Sequence, residues 1–145
     1  MNHLRRSLVA ALAFAIARPL AALAAWNKEA FSAKTPGEAL KGLGIANAAP
    51  SKDLQIEAPE IAENGAVVPI EISSAIAGTS ALIVVIEKNP FPLTARFDFK
   101  EGALPFVKLN VKIGETSDVR VLAEAAGRHY FATKEIKVTI GGCGG

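Results

Sequence analysis

The sequence has little of what most catalytic and metal sites need. Its 145 residues include one Cys, two His, one Trp, one Tyr and one Met. A single Cys cannot form an internal disulfide, so a disulfide-stabilised mini-protein is excluded. A zinc or copper site built from His and Cys is disfavoured, because too few of these ligands are present. His129 follows a predicted turn at Gly127, where we expect a solvated loop residue rather than a catalytic base or a ligand.

The chain also lacks an excess of charge of either sign. It has 16 basic and 14 acidic residues, a formal net charge of +2. Without the first 24 residues, which carry three arginines, the balance becomes 13 basic against 14 acidic. Such a balance disfavours a nucleic-acid-binding protein. Half of the residues are hydrophobic, enough for one domain of ordinary size, and intrinsic disorder is therefore disfavoured.

Residues 1–24 have the pattern of a cleaved export signal. Arg5 and Arg6 precede an apolar run, and Ala22 and Ala24 form the small-x-small pattern of a signal peptidase site. The apolar run is about half of the roughly 20 residues that a membrane-spanning helix needs. The adjacent arginines resemble a twin-arginine export signal. We expect cleavage after Ala24, a periplasmic location and no membrane association after cleavage.

Two short helices are predicted in residues 25–48. The first covers residues 26–34, where apolar residues recur at helical spacing. The second begins with Thr35 as the N-cap, and Glu38 three residues later completes a capping box. Gly42 and Gly44 are expected to end this helix. We expect the two helices to form an N-terminal appendage.

From residue 54 onward, apolar residues recur at every second position, the period of a β-strand. Seven or eight short strands are predicted, separated by turn residues such as Asn64-Gly65. The run that begins at Ala81 is continuously apolar, as expected for a strand buried on both faces. The last two strands are placed at residues 130–133 and 135–140. The predicted fold is therefore all-β, an immunoglobulin-like antiparallel β-sandwich over residues 49–140.

The last five residues, 141–145, stand apart from the rest of the chain. They read Gly141-Gly142-Cys143-Gly144-Gly145, directly after a predicted strand. Glycines leave the backbone free to adopt almost any conformation and put no side chain beside the thiol. Three residues beyond the strand give Cys143 a reach of about 10 Å. This pattern predicts a swinging arm that presents a thiol to other proteins and is not itself catalytic.

Two other interpretations of Cys143 remain open from the residues alone. One is a structural β-sandwich that dimerises through an intermolecular disulfide, since an unpaired Cys outside the cytoplasm often forms one. The other is a thiol oxidoreductase or redox adaptor. The second is weakened because a dithiol exchange site needs another Cys.

The sequence resembles the SoxY family, the carrier subunits of the bacterial thiosulfate-oxidising (Sox) system. The resemblance covers essentially the whole chain after the export signal, and its most specific part is the terminal motif around Cys143. The other motifs that carry it are Lys137-Val138-Thr139-Ile140, Ala62-Glu63-Asn64-Gly65, Val68-Pro69-Ile70 and Asn89-Pro90.

The resemblance implies a non-enzymatic protein without a cofactor, whose Cys143 carries sulfur intermediates covalently. It implies a heterodimer with a second β-sandwich subunit, SoxZ. It also implies transient visits to the cytochrome SoxXA, the hydrolase SoxB and, where present, a sulfane dehydrogenase. The sequence leaves open which face binds SoxZ. Phe91 and Phe106 are candidates for an apolar contact strip, and either could equally lie in the core.

Overall fold

The computed structural model describes residues 26–139, which contain two helices and nine strands. The helices are α1 (Lys28–Ser32) and α2 (Pro36–Gly42). The strands are β1 (Ala49–Pro50), β2 (Leu54–Glu57), β3 (Ile61–Ala62), β4 (Val68–Ser74), β5 (Thr79–Ile86), β6 (Leu93–Asp98), β7 (Phe106–Val111), β8 (Ser117–Ala125) and β9 (Arg128–Val138).

The strands form two packed sheets. The larger sheet, sheet A, has the order β1-β9-β8-β5-β6, with β3 also paired to β9; the smaller, sheet B, has the order β2-β4-β7. The longer strands pair antiparallel, which confirms the predicted immunoglobulin-like β-sandwich. The two-residue strands β1 and β3 pair parallel to β9, an arrangement that was not predicted. Strands this short have no alternation for a sequence pattern to detect.

Alternating side chains of the two sheets form the main core. Val68, Ile70 and Ile72 of β4 are fully buried against Leu82, Val84 and Ile86 of β5 and the inner face of β8.

Strand β5 is buried on both faces, as predicted. Its alternate residues Ile83 and Val85 point away from sheet B and pack with the residues of the two helices.

The helices cover the outer face of sheet A. Ala30 of α1, Ala39 of α2 and Ile45 are buried in a second cluster that includes Ile83, Val85 and Leu122. The segment predicted as an appendage therefore supplies a second layer of core. A Cβ on Gly42 would lie 3.0 Å from the Ala30 Cα, so the two helices approach closely at this glycine.

The helix ends follow the capping pattern of the sequence. Thr35 Oγ1 accepts a hydrogen bond from Glu38 N (3.2 Å), and Pro36 begins α2. The Glu38 carboxylate accepts from Lys34 N (3.3 Å) instead of the Thr35 N–H of a standard capping box. The first helix is shorter than predicted, because Asn27 is its N-cap and accepts from Ala30 N.

Strand β9 replaces the two strands predicted at residues 130–133 and 135–140. The two predicted strands were separated at Lys134, because a charged residue was not expected on an inner face. In the structure Lys134 pairs with Val119, one of the inward-facing residues of β8. The Lys134 side chain reaches the edge of the sandwich, where its Nζ donates to the Ala58 carbonyl at 2.7 Å. A charged residue on the inner face is accommodated in this way, and the strand continues without a break.

No helix within residues 26–139 is long and apolar enough to cross a membrane.

Candidate functional site

The residues predicted to carry function lie outside the described part of the chain. Cys143 and the glycines Gly141, Gly142, Gly144 and Gly145 follow the last described residue, Thr139. The predicted export residues Arg5, Arg6, Ala22 and Ala24 precede the first described residue. The structure therefore defines the base from which the terminal pentapeptide leaves, and the roles assigned to these residues stay predictions.

The end of β9 is held from both sides. On one side Ala62 of β3 pairs with Val138, Glu60 O accepts from Lys137 N at 2.9 Å, and Ala62 O accepts from Thr139 N at 3.1 Å. On the other side Thr116 Oγ1 accepts from Val138 N at 3.0 Å. The strand is thus hydrogen-bonded up to one residue before Ile140.

Gly65 brings a turn directly against this strand end. A Cβ at Gly65 would lie 2.3 Å from the Ile113 carbonyl oxygen and 2.9 Å from Val138 Cγ1. Ile113 N donates to the Gly65 carbonyl at 2.7 Å, and Asn64 Oδ1 accepts from Ala66 N at 2.9 Å. The Asn64-Gly65 motif, predicted only as a turn, therefore packs on the base of the terminal segment.

Asn89 braces the neighbouring loops. Its Nδ2 donates to the Lys112 carbonyl at 2.8 Å, and its Oδ1 accepts from Gly114 N at 3.1 Å. The adjacent Lys88 N donates to the Ser117 hydroxyl at 3.1 Å. The sequence predicted only a strand break at Asn89-Pro90. It did not predict the hydrogen bonds that Asn89 and Thr116 make to distant backbone groups. These contacts join residues more than twenty positions apart and leave no local signal.

His129 lies at the far end of β9, away from the terminal segment. The turn before it consists of Ala126 and Gly127, both with positive φ (49° and 72°), so His129 already pairs with Glu124 in the ladder. Its side chain is 19% exposed, and its Nε2 lies 3.9 Å from Glu124 Oε2. The expectation of a solvated loop residue is thus wrong, because the turn takes only two residues.

Arg96 and Lys108, whose pKa values are raised, also lie away from the end of β9. A hydrogen bond to Asp98, with a further contribution from Glu124, raises the pKa of Arg96. A hydrogen bond to Glu71 raises the pKa of Lys108. Within residues 26–139, no group of three or more His, Cys, Asp or Glu side chains could hold a metal ion. The described residues thus provide a strand end that is hydrogen-bonded on both sides, directly before the terminal segment.

The fold and the terminal motif define a class of protein: a helix-covered β-sandwich whose last strand leads into a glycine-flanked cysteine. The family model described as sulfur oxidation protein SoxY matches residues 41–143, a range that ends at Cys143. The chain belongs to the SoxY family.

One solved structure agrees with this assignment, and a second shows the fold alone. The sulfur carrier protein SoxY from Chlorobium limicola f thiosulfatophilum is 34% identical with a TM-score of 0.66; the match covers 72% of this chain and 96% of that chain. A superoxide reductase (neelaredoxin) from Ignicoccus hospitalis shares the fold at 21% identity and a TM-score of 0.53, with 72% of this chain and 93% of that chain covered. A search of curated protein sequences gave no significant match.

Proposed function

We propose that this chain is a periplasmic carrier that holds thiosulfate-derived intermediates on Cys143 and presents them to partner enzymes. The observation that carries the proposal is the family match, which runs through the sandwich and ends at the only thiol of the chain. The Chlorobium relative is described as a sulfur carrier protein. The hydrogen-bonded end of β9, followed by a Gly-Gly-Cys-Gly-Gly sequence, supports the same role.

The loading step is an oxidation of the thiol together with thiosulfate. The Cys143 S–H bond is lost and a sulfur–sulfur bond to the outer sulfur of thiosulfate forms. The products are a cysteine S-thiosulfonate, one proton and two electrons. The cytochrome SoxXA is the proposed acceptor of these electrons.

The second step is hydrolysis. The hydroxyl of a water molecule adds to the terminal sulfonate, the bond between that sulfonate and the sulfane sulfur breaks, and sulfate leaves with release of one proton. Cys143 keeps a persulfide, one of the reversible thiol caps. SoxB is the proposed hydrolase. Where present, a sulfane dehydrogenase would oxidise the sulfane sulfur to a sulfonate, with three oxygen atoms from water and with six electrons passed to an electron acceptor. A second hydrolysis would then release sulfate and restore the thiol.

The geometry of the strand end limits how partners can work. Cys143 is the fourth residue after Thr139, so its Cα lies at most about 14 Å from the Thr139 Cα. An enzyme that takes in the cysteine must come close to the end of β9. Glycines on both sides let a loaded sulfur enter a narrow pocket without side-chain clashes.

The periplasmic location is proposed from the pattern of residues 1–24. The same proposal includes a heterodimer with SoxZ, in line with the membership of the family.

The test is the intact mass of the exported protein before and after incubation with thiosulfate and SoxXA, with and without reductant. We expect an adduct that reductant removes and that maps to the C-terminal peptide. The Cys143→Ser variant is the control, and it should fold normally and form no adduct. The same spectrum gives the cleavage position after the signal.

Two results would contradict the proposal. If thiosulfate leaves the mass unchanged and a disulfide-linked dimer accumulates, the structural alternative is favoured. If Cys143→Ser supports thiosulfate-dependent reduction of the cytochrome, sulfur carriage does not depend on this thiol.

A further inference from the structure

Asn64 differs from the other asparagines of the described chain in the residue that follows it, which is Gly65. The other four asparagines are followed by Lys28, Ala48, Pro90 and Val111. Glycine has no Cβ beside its peptide nitrogen, so this nitrogen is the least hindered of the five. A peptide nitrogen that reaches the side-chain carbonyl carbon (Cγ) of the preceding asparagine can displace its amide group. Because both groups belong to neighbouring residues, the reaction is intramolecular and needs no enzyme.

The Gly65 nitrogen is available for this attack. Its N–H donates to no group within residues 26–139. Gly65 is held instead through its carbonyl, which accepts from Ile113 N at 2.7 Å, and by its close packing on the Ile113 carbonyl oxygen. The side chain of Asn64 is exposed. Ring closure therefore moves an exposed side chain toward a nitrogen whose proton is not used in another bond.

The side-chain carbonyl of Asn64 already has a hydrogen bond that favours the attack. Asn64 Oδ1 accepts from Ala66 N at 2.9 Å. Negative charge develops on this oxygen when a nitrogen adds to Cγ, and a backbone N–H directed at such an oxygen stabilises that charge. The turn thus places an unhindered nucleophile and a stabilising donor in the two residues directly after Asn64.

We propose that Asn64 is a site of spontaneous deamidation, and that its isoaspartate product loosens the end of β9. The Gly65 nitrogen loses its proton and forms a bond to Asn64 Cγ, the bond from Cγ to Nδ2 breaks, and ammonia leaves with that proton. The product is a cyclic imide. Water then opens the imide at one of its two carbonyl carbons and leaves either aspartate or isoaspartate at position 64. No oxidant or reductant takes part, and the inference does not rest on the proposed function.

The isoaspartate product changes the main chain beside the end of β9. When water opens the imide at the former backbone carbonyl, the main chain runs through the former side chain and becomes one carbon atom longer. Residues on both sides of this point are held, since Ala62 pairs with Val138 and Gly65 accepts from Ile113 N. A Cβ at Gly65 would already lie 2.9 Å from Val138 Cγ1, so there is little room for displaced backbone. The longer chain must therefore weaken the contacts of β3 or of Gly65.

The first experiment ages the exported wild-type protein in mildly alkaline buffer and maps deamidation by peptide mass. Each event adds about 1 Da, and an isoaspartyl methyltransferase labels isoaspartate. Asn47 is the internal control, because it is also exposed but is followed by Ala48, and trypsin cleavage at Lys52 separates the two sites. We expect Asn64 to be modified at least about tenfold faster than Asn47, a difference of about 1.4 kcal/mol in the barrier. Equal rates at the two sites, or modification of Asn64 only in a urea-unfolded sample, would overturn the inference.

The second experiment uses Asn64→Asp to separate the new charge from the longer main chain. This variant carries the charge of the deamidated protein and keeps an acceptor for Ala66 N, but its main chain is unchanged. We expect its Tm within about 2 °C of the wild type, whereas the isoaspartate fraction of the aged protein should unfold at least about 4 °C lower. An isoaspartate fraction that unfolds at the Tm of the variant would overturn the effect on β9. The adduct on Cys143 is measured on a different peptide, so sulfur carriage is judged separately.

Discussion

Replacing Gly65 by alanine tests whether the turn at residues 64–67 holds the base of the terminal segment. The backbone at Gly65 is not in the left-handed region, so alanine meets no conformational penalty there. The obstacle is contact: the new Cβ would lie 2.3 Å from the Ile113 carbonyl oxygen and 2.9 Å from Val138 Cγ1. The first partner is a backbone atom of Ile113, whose own N–H is hydrogen-bonded to Gly65, so it cannot move aside cheaply.

The expected destabilisation follows from the shift of the turn that the new Cβ would require. Relief of the overlap requires the turn to shift by about 1 Å, which typically costs about 1–3 kcal/mol in a packed region. The same shift stretches the hydrogen bond from Ile113 N to Gly65 O, now 2.7 Å, and its loss costs about 0.5–1.5 kcal/mol. We expect a destabilisation of about 2–4 kcal/mol. For a domain of this size, that lowers Tm by about 8–16 °C.

The assay is thermal and urea unfolding of the exported protein followed by circular dichroism, with Gly37→Ala as the control. Gly37 lies in α2, has no heavy atom within 4 Å of its added Cβ, and does not have a positive φ. Alanine there should leave stability unchanged or raise it by up to about 1 kcal/mol. A Gly65→Ala protein within about 0.5 kcal/mol of the wild type would refute the reasoning. An equal loss in both variants would show that the close approach at Gly65 is not its cause.

Two further substitutions test the end of β9 and the segment after it independently. Thr116→Val removes the acceptor for Val138 N and should cost about 1–3 kcal/mol in urea unfolding, whereas Thr133→Val on the outer face of β9 should stay within about 0.5 kcal/mol; equal losses would dismiss the role of Thr116. Gly142→Val should leave Tm unchanged but lower kcat/KM for hydrolysis by SoxB, and unaltered hydrolysis would mean that the glycines do not supply conformational freedom.

The fold class was predictable because the alternation of apolar and polar residues along a strand can be detected within a few neighbouring residues. Alternation placed Val68, Ile70 and Ile72 on one face, and the continuous apolar run that begins at Ala81 marked the doubly covered strand β5. Pairing partners were less predictable, since they depend on residues far apart in the chain. Thus the sequence did not reveal that β3 pairs with β9, nor that α1 and α2 cover β5.

The candidate site was inferred from a different signal, and the roles of its residues stay predictions. Composition alone singled out Cys143 and its glycines, and the matched range of the family ends at this cysteine. The base of the segment was not predictable, because Asn89 and Thr116 act through hydrogen bonds to backbone that the fold brings to them. A single polar side chain between strands has many possible partners, and only the folded chain selects one.

The proposed function gives the glycines on both sides of Cys143 a physical reason. A fully buried apolar side chain contributes about 1.5–3 kcal/mol. Two such side chains in place of Gly142 and Gly144, packed on the sandwich, would hold the thiol back by about 3–6 kcal/mol. Every partner enzyme would then face an apparent affinity reduced by about a hundredfold or more before any chemistry began. Glycines would avoid that penalty, while the bonds to Thr116 and Ala62 hold the end of β9, from which the proposed arm would deliver the thiol. A carrier that serves several enzymes would need both an unhindered thiol and a fixed strand end.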